Sequence, residues 1–222
     1  MKENIKEPLF VEIDKFDLWA KSLYDIPQDD IGGVWEVDYE KWEDIYKSFE
    51  NFILITDPQK LTDIQKGRLL YIIARDNDAM YLSSILNDRF LTVLAEHSTS
   101  NGHRDDKWQL AIQLYKLTDK QKALSLLDKF VNDDEEYVNR RSLMELAKLK
   151  SGKVEFYAEK FWYKDRYGDM EEFQKIAVLH SLKTIKSRLL YNYIELAKQS
   201  GQKYLTENAN QIENEINCET NN

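Results

Sequence analysis

The sequence predicts an all-α protein, an α-α superhelix of antiparallel helix pairs. Three observations predict it. Gly (7) and Pro (3) are scarce among 222 residues, whereas a β-sandwich or a doubly wound sheet needs many tight turns. Apolar side chains recur near the 3.6-residue period of a helix face in segment after segment. The breaks between segments are short and polar, and linkers so short force neighbouring helices to lie antiparallel.

Taken in order, Leu9, Ile13, Phe16, Trp19, Ala20 and Leu23 share one face and predict a helix over 8–24. Pro27 and Gly32-Gly33 break that pattern. Asp38 is the expected N-cap of a helix carrying Trp42, Ile45, Tyr46, Phe49, Phe52 and Ile53. Asp57-Pro58 marks the next boundary, with the proline suited to a first turn. Leu61 to Ala74 reads as the partner helix, and shorter helices are expected near 78–86 and 88–97. Ser98-Thr99-Ser100-Asn101-Gly102 reads as the clearest loop in the chain. Beyond it, helices are expected near 104–117, 119–131, 135–150, 153–164, 169–186, 188–200 and 202–216. The intervening pairs include Thr118-Asp119, Asn132-Asp133, Ser151-Gly152, Gly168-Asp169 and Ser200-Gly201, which supply capping residues or C-terminal glycines. The polar tail from about Glu215 is expected to fray.

The second half repeats itself. Lys107-Trp108-Gln109-Leu110-Ala111-Ile112-Gln113-Leu114-Tyr115-Lys116-Leu117 aligns without a gap on 139–149, and both segments end Leu-x-Lys-Leu, 32 residues apart. A third copy, 176–185, closes on a similar Leu-x-x-apolar ending 36 residues later. Acids precede each copy: Asp105-Asp106, then Asp133 to Glu136, then Asp169 with Glu171-Glu172. Acids suit a helix start because they face unpaired amides and the positive end of the dipole. An acidic cap followed by small and apolar positions closing on Leu-x-x-Leu every 30-odd residues resembles the second helix of a HEAT-type repeat. Asn139 stands where that family carries a basic residue, and Leu110 where it carries a small one. The resemblance covers about 100–216. It implies a HEAT-like solenoid over 101–216, with residues 1–100 an N-terminal helical region that either continues the stack or caps it; the polar residues 217–222 are expected to be a disordered tail. It implies macromolecule binding along one face and no chemistry.

Composition bounds the function. The net charge is −9, from 31 basic and 40 acidic residues, which argues against a general nucleic-acid binder and suits a basic protein partner. The start carries no apolar run, so no signal peptide is expected. No segment reaches the roughly 18 apolar residues of a membrane span, so a cytoplasmic protein is expected. The lone Cys218 excludes an internal disulfide and a cysteine zinc site.

No catalytic constellation stands out. There is no glycine-rich phosphate loop and no His-Glu-x-x-His. His97, His103, Asp105 and Asp106 lie close in sequence, but their spacing matches no metal-ligand register. The acid pairs fall mostly at helix starts, where capping accounts for them. No cofactor is expected.

The most suggestive stretch runs from Asp25 to Glu50. It holds nine acids against Lys41 and Lys47, and interleaves them with Trp35, Tyr39, Trp42, Tyr46 and Phe49. Aromatics anchor an interface and charges steer it. Asp29, Asp30, Trp35, Glu36, Asp38 and Tyr39 are therefore the expected partner-binding residues, and the alternative for the helical part is aromatics in the core with acids in water. The expected function is a non-enzymatic protein-binding module, in the manner of small acidic immunity proteins that neutralise basic nuclease toxins. The alternative is nucleic-acid binding or DNA repair. It draws on Arg140-Arg141 with Lys183, Lys186 and Arg188, on or just after successive repeat helices, and on Lys107 with Trp108 as a stacking platform.

Overall fold

The structure, a computed structural model, describes residues 7–24, 35–164 and 168–220, with side chains up to 218. The described residues form twelve α-helices and four short 3-10 turns, with no strand among them. They fall into two compact units, Met1–Lys116 and Leu117–Asn222.

The first unit begins with α1 (Pro8–Leu23), which buries Leu9, Phe10, Ile13, Phe16 and Ala20 and carries Pro8 in its first turn. A 3-10 turn at Trp35–Asp38 precedes α2 (Trp42–Ile55). Asp38 closes that turn instead of capping α2, whose N-cap position is Lys41 without a side-chain bond. The indole of Trp42 donates to the Glu36 carbonyl at 2.8 Å and ties the turn to the helix start. Asp57 accepts from the Gln59 amide at 3.2 Å and starts a 3-10 turn at Pro58–Lys60. Helix α3 (Asp63–Arg75) opens with a capping box between Thr62 and Gln65. Helix α4 is the short Tyr81–Ser84. These helices pack as α1 on α2 and α3, with α3 also on α5 (Asp88–Asn101) and α6 (Arg104–Ala111).

The expected loop at 98–102 is mostly helix. Helix α5 runs Asp88–Asn101, and only Gly102 and His103 separate it from α6 (Arg104–Ala111). The polar residues find partners inside the fold: Ser98 Oγ donates to Asp106 Oδ1 at 2.5 Å, and Asn101 donates to the His97 carbonyl at 3.2 Å. The His103 amide donates to Asp106 Oδ2 at 2.6 Å, so one buried carboxylate holds both ends of the joint. Gly102 permits it. A Cβ there would fall against Ser98 Oγ and Asp106 Oδ1, far inside van der Waals contact. Past Ala111 the backbone tightens, with Gln113 donating to the Leu110 carbonyl and a 3-10 turn at Leu114–Lys116. The segment 107–117 is therefore two short pieces, not the single helix expected.

The second unit contains α7 (Lys120–Phe130), α8 (Glu136–Lys148), α9 (Val154–Trp162), α10 (Glu171–Thr184), α11 (Leu190–Gln199) and α12 (Lys203–Thr220). Helix α10 packs against α8, α9, α11 and α12, and α8 also against α7 and α9. Helix α12 reaches Thr220, so the stretch expected to fray from 215 is helical. Phe130, Phe161, Leu143, Val178 and Leu179 are fully buried, each contributing about 1.5–3 kcal/mol through area removed from water.

A 36-residue recurrence is written into the backbone of this unit. Helix α8 ends with Lys150 donating to the Ala147 carbonyl and Ser151 to the Leu146 carbonyl, both at 2.9 Å. Helix α10 ends with Lys186 donating to the Lys183 carbonyl and Ser187 to the Leu182 carbonyl, again at 2.9 Å. Both are Schellman closures, and both place a lysine at positive φ, 52° for Lys150 and 55° for Lys186. Each serine hydroxyl then accepts from an amide two residues on, Lys153 at 3.3 Å and Leu189 at 3.1 Å. Helices α9 and α11 start at Val154 and Leu190, and the buried tyrosines Tyr157 and Tyr193 follow at matched positions. Between α8 and α10, the buried Gln174 amide donates to Asn139 Oδ1 at 2.8 Å.

Candidate functional site

Of the six residues expected to bind a partner, Asp29 and Asp30 lie outside the described residues. Trp35, Glu36 and Tyr39 are buried, and Asp38 is exposed. The aromatics that were expected to anchor a partner instead build the core of the first unit. Phe16 is the centre, with Tyr39 at 5.0 Å, Trp42 at 5.2 Å, Trp19 at 5.6 Å and Trp35 at 6.2 Å between ring centroids. Trp35 stacks on Trp19 at 5.9 Å. Each such pair is worth about 0.5–1.5 kcal/mol beyond its buried area.

Glu36 is buried because Arg75 comes to meet it. The guanidinium lies 3.5 Å from the carboxylate, over the Trp35 ring at 5.7 Å and the Tyr71 ring at 5.4 Å. Burial pushes the Glu36 carboxyl up. A backbone hydrogen bond and then the Arg75 charge pull it back down. This pair fastens the 3-10 turn to the last turn of α3 and leaves Glu36 no surface to offer a partner. Further along α2, Tyr46 donates to Asp76 Oδ1 at 2.8 Å, while Asp76 Oδ2 accepts from the Leu82 amide at 2.7 Å. Burial raises both the Tyr46 hydroxyl and the Asp76 carboxyl above their usual ranges.

The exposed acids of this region are Asp38, Glu40, Glu43 and Asp44, at the start of α2. At the other end of the same helix stand Leu54 and Ile55, 79% and 86% exposed, and Ile64 in the first turn of α3 is 78% exposed. Single exposed apolar side chains are ordinary. Leu54 and Ile55, adjacent at the end of α2 and both more than three-quarters exposed, offer apolar area suited to contact with another surface. The run Phe52-Ile53-Leu54-Ile55 carried the signal. Four consecutive apolar residues exceed what one helix face buries, and only Phe52 and Ile53 are taken into the core.

The residues expected along a basic groove are divided between the units. Lys107 and Trp108 belong to the first. Trp108 is buried, with its indole nitrogen 3.4 Å from Asp105 Oδ1, so no face of it is open for stacking on a base. Arg140 and Arg141 belong to the second. Arg140 directs its guanidinium at Glu136, Nε to Oε1 at 2.7 Å and Nη2 to Oε2 at 3.3 Å, and lies over the Tyr137 and Phe173 rings. Arg141 lies over Tyr137 at 5.3 Å. These cations neutralise and cover α8 rather than project into solvent as a pair.

The histidines and acids near residue 100 have local structural roles. His103 Nδ1 accepts from the Asp105 amide at 3.3 Å as part of a capping box, and His97 Nδ1 is 3.7 Å from Asp63. Among the described residues no group of three or more His, Cys, Asp or Glu is arranged to hold a metal ion. Among the same residues no helix is long and apolar enough to cross a membrane. Compared with protein-family models, with curated proteins and with solved structures, the chain matches none.

Proposed function

We propose that this chain is a non-enzymatic protein-binding module, a HEAT-like helical repeat that presents an acidic and aliphatic face to a basic protein. An immunity or inhibitor role in the cytoplasm, against a basic toxin, is the specific form of that reading. The observation that carries it is the exposure of the adjacent Leu54 and Ile55 at the end of α2, a helix whose other end displays Glu43 and Asp44. Apolar side chains supply contact area at the centre of an interface, and like-signed charges around it steer an oppositely charged partner. The recurrence of helix closures at 36 residues in the second unit supports the repeat part of the reading.

The test is titration of the purified chain against basic proteins encoded by neighbouring reading frames. Binding should tighten at low salt, weaken on reversing Glu43 and Asp44 to lysine, and fall by at least about tenfold, or about 1.4 kcal/mol, in Leu54→Ser/Ile55→Ser. Undiminished binding by both variants removes the α2 face from the interface. Binding insensitive to salt removes the charge argument.

A further inference from the structure

A second surface, in the other unit, has the opposite charge. Lys183-Thr184-Ile185-Lys186-Ser187-Arg188 carries three cations and no acid in a chain of net charge −9. The fold gathers these cations around a cavity of about 580 Å³. Its wall is formed by Lys183, Lys186, Arg188 and His180 on one part, and by Leu190, Tyr191 and Ile216 on another. A second cavity of about 460 Å³ shares Thr184 and Lys186 with the first and adds Lys150.

The pairing of the charges is uneven. Lys183 is engaged by Glu215 of α12, and His180 Nε2 lies 3.1 Å from Asn208 Oδ1. The Ser187 hydroxyl donates to Glu155 Oε1 at 2.5 Å. Lys186 and Arg188 form no ion pair with any carboxylate among the described residues. Lys186 also occupies a left-handed position, where glycine is the residue without a steric penalty. A cation thus occupies a costly backbone position in the wall of the cavity.

Shape and lining narrow the ligand. The volume falls in the range of small-molecule sites and exceeds what a lone inorganic anion fills. An arginine and a lysine without carboxylate partners among the described residues suit phosphate oxygens. The first turn of α11 opens on the same cavity through Leu190 and Tyr191, and a helix start favours an anion. Tyr191 is 58% exposed and presents a ring beside these cations, with Leu190 and Ile216 as apolar neighbours. We infer that this pocket binds a nucleoside polyphosphate, with Lys186 and Arg188 on the phosphates and Tyr191 against the base. The site is independent of the α2 face and of the partner-binding reading.

Calorimetric titration of the full chain at low ionic strength tests it, with ATP, tripolyphosphate and adenosine as separate probes. ATP should bind one per chain, tripolyphosphate more weakly, and adenosine without measurable heat. Lys186→Glu/Arg188→Glu should weaken ATP and tripolyphosphate by at least about tenfold with an unchanged circular-dichroism spectrum. Tyr191→Ala should weaken ATP alone. No saturable heat with ATP, or equal binding by the double variant, overturns the site. Equal affinity for tripolyphosphate and ATP, with Tyr191→Ala silent, overturns the nucleotide assignment. A single-stranded oligonucleotide that displaces ATP at lower concentration than ATP itself requires also overturns it.

Discussion

Arg75 and Glu36 meet at 3.5 Å with both side chains 8% exposed, one at the end of α3 and the other in the 3-10 turn before α2. A buried pair of this kind stabilises little over a well-packed apolar replacement, but losing one partner strands the other charge. Arg75→Met is expected to cost about 3–5 kcal/mol, read as a lower urea midpoint. Adding Glu36→Gln should restore part of that loss. Full stability in Arg75→Met would show that the pair does not hold the turn.

Asp106 sets a pH dependence for the first unit. Burial pushes its carboxyl from 3.8 up to about 7, against the hydrogen bonds from Ser98 and His103. The folded chain therefore keeps a proton that the unfolded chain releases near 3.8. The stability this contributes is fully present below that value and is lost as pH rises through about 7, at up to about 1.4 kcal/mol per pH unit. Denaturation at about pH 5 and about pH 8 should show the wild type losing stability with rising pH. Asp106→Asn should flatten that slope, and an unchanged slope would assign it to other groups.

Gly102 is the one position in the α5–α6 joint where a side chain has no room, because backbone as well as side-chain atoms of Ser98 crowd the place a methyl would take. Gly102→Ala is expected to destabilise by about 1–3 kcal/mol, the usual range for overpacking. Thermal melting would check it, and a neutral outcome would mean that the joint opens without cost.

Asn139 and Gln174 form a side-chain amide bond buried between α8 and α10. Gln174→Ala should cost about 1–3 kcal/mol by leaving Asn139 short of a donor. The pair Asn139→Leu/Gln174→Leu should cost less than the sum of its single changes. Additive losses in a double-mutant cycle would mean that the two side chains act independently.

Lys150, at φ 52°, occupies the Schellman position of α8. Lys150→Gly should raise stability by about 1 kcal/mol, because the left-handed penalty of a Cβ disappears. A loss of stability on chemical denaturation would show that the lysine side chain makes a compensating contact.

The helical part of this fold was legible from periodicity because each helix buries a stripe. Ile45, Phe49 and Phe52 of α2, and Leu143, Leu146 and Ala147 of α8, read directly as core. The Leu-x-x-apolar endings at Leu146 and Leu182, 36 residues apart, were legible too, whereas the matched Lys-Ser closures that follow them emerged only from the backbone hydrogen bonds. The Ser98–Gly102 stretch was misleading. Its polar residues resemble a loop in sequence, and only the buried Asp106 carboxylate supplies the partner that lets α5 run on to Asn101.

The candidate site was legible in its charge and not in its geometry. Sequence alone determined that this is a helical chain with scarce turns, an acidic first half and a local run of cations at 183–188, because those are properties of composition and local period. Which aromatics face water was decided by the tertiary structure. Trp35 and Tyr39 are drawn inward by Phe16 and Trp19 of α1, and Arg75 of α3 makes it possible to bury Glu36. Leu54 and Ile55 stay outside because Phe52 and Ile53 already occupy the face that α2 turns to the core. Burial depends on what packs across from a side chain, and that information is carried by residues distant in sequence.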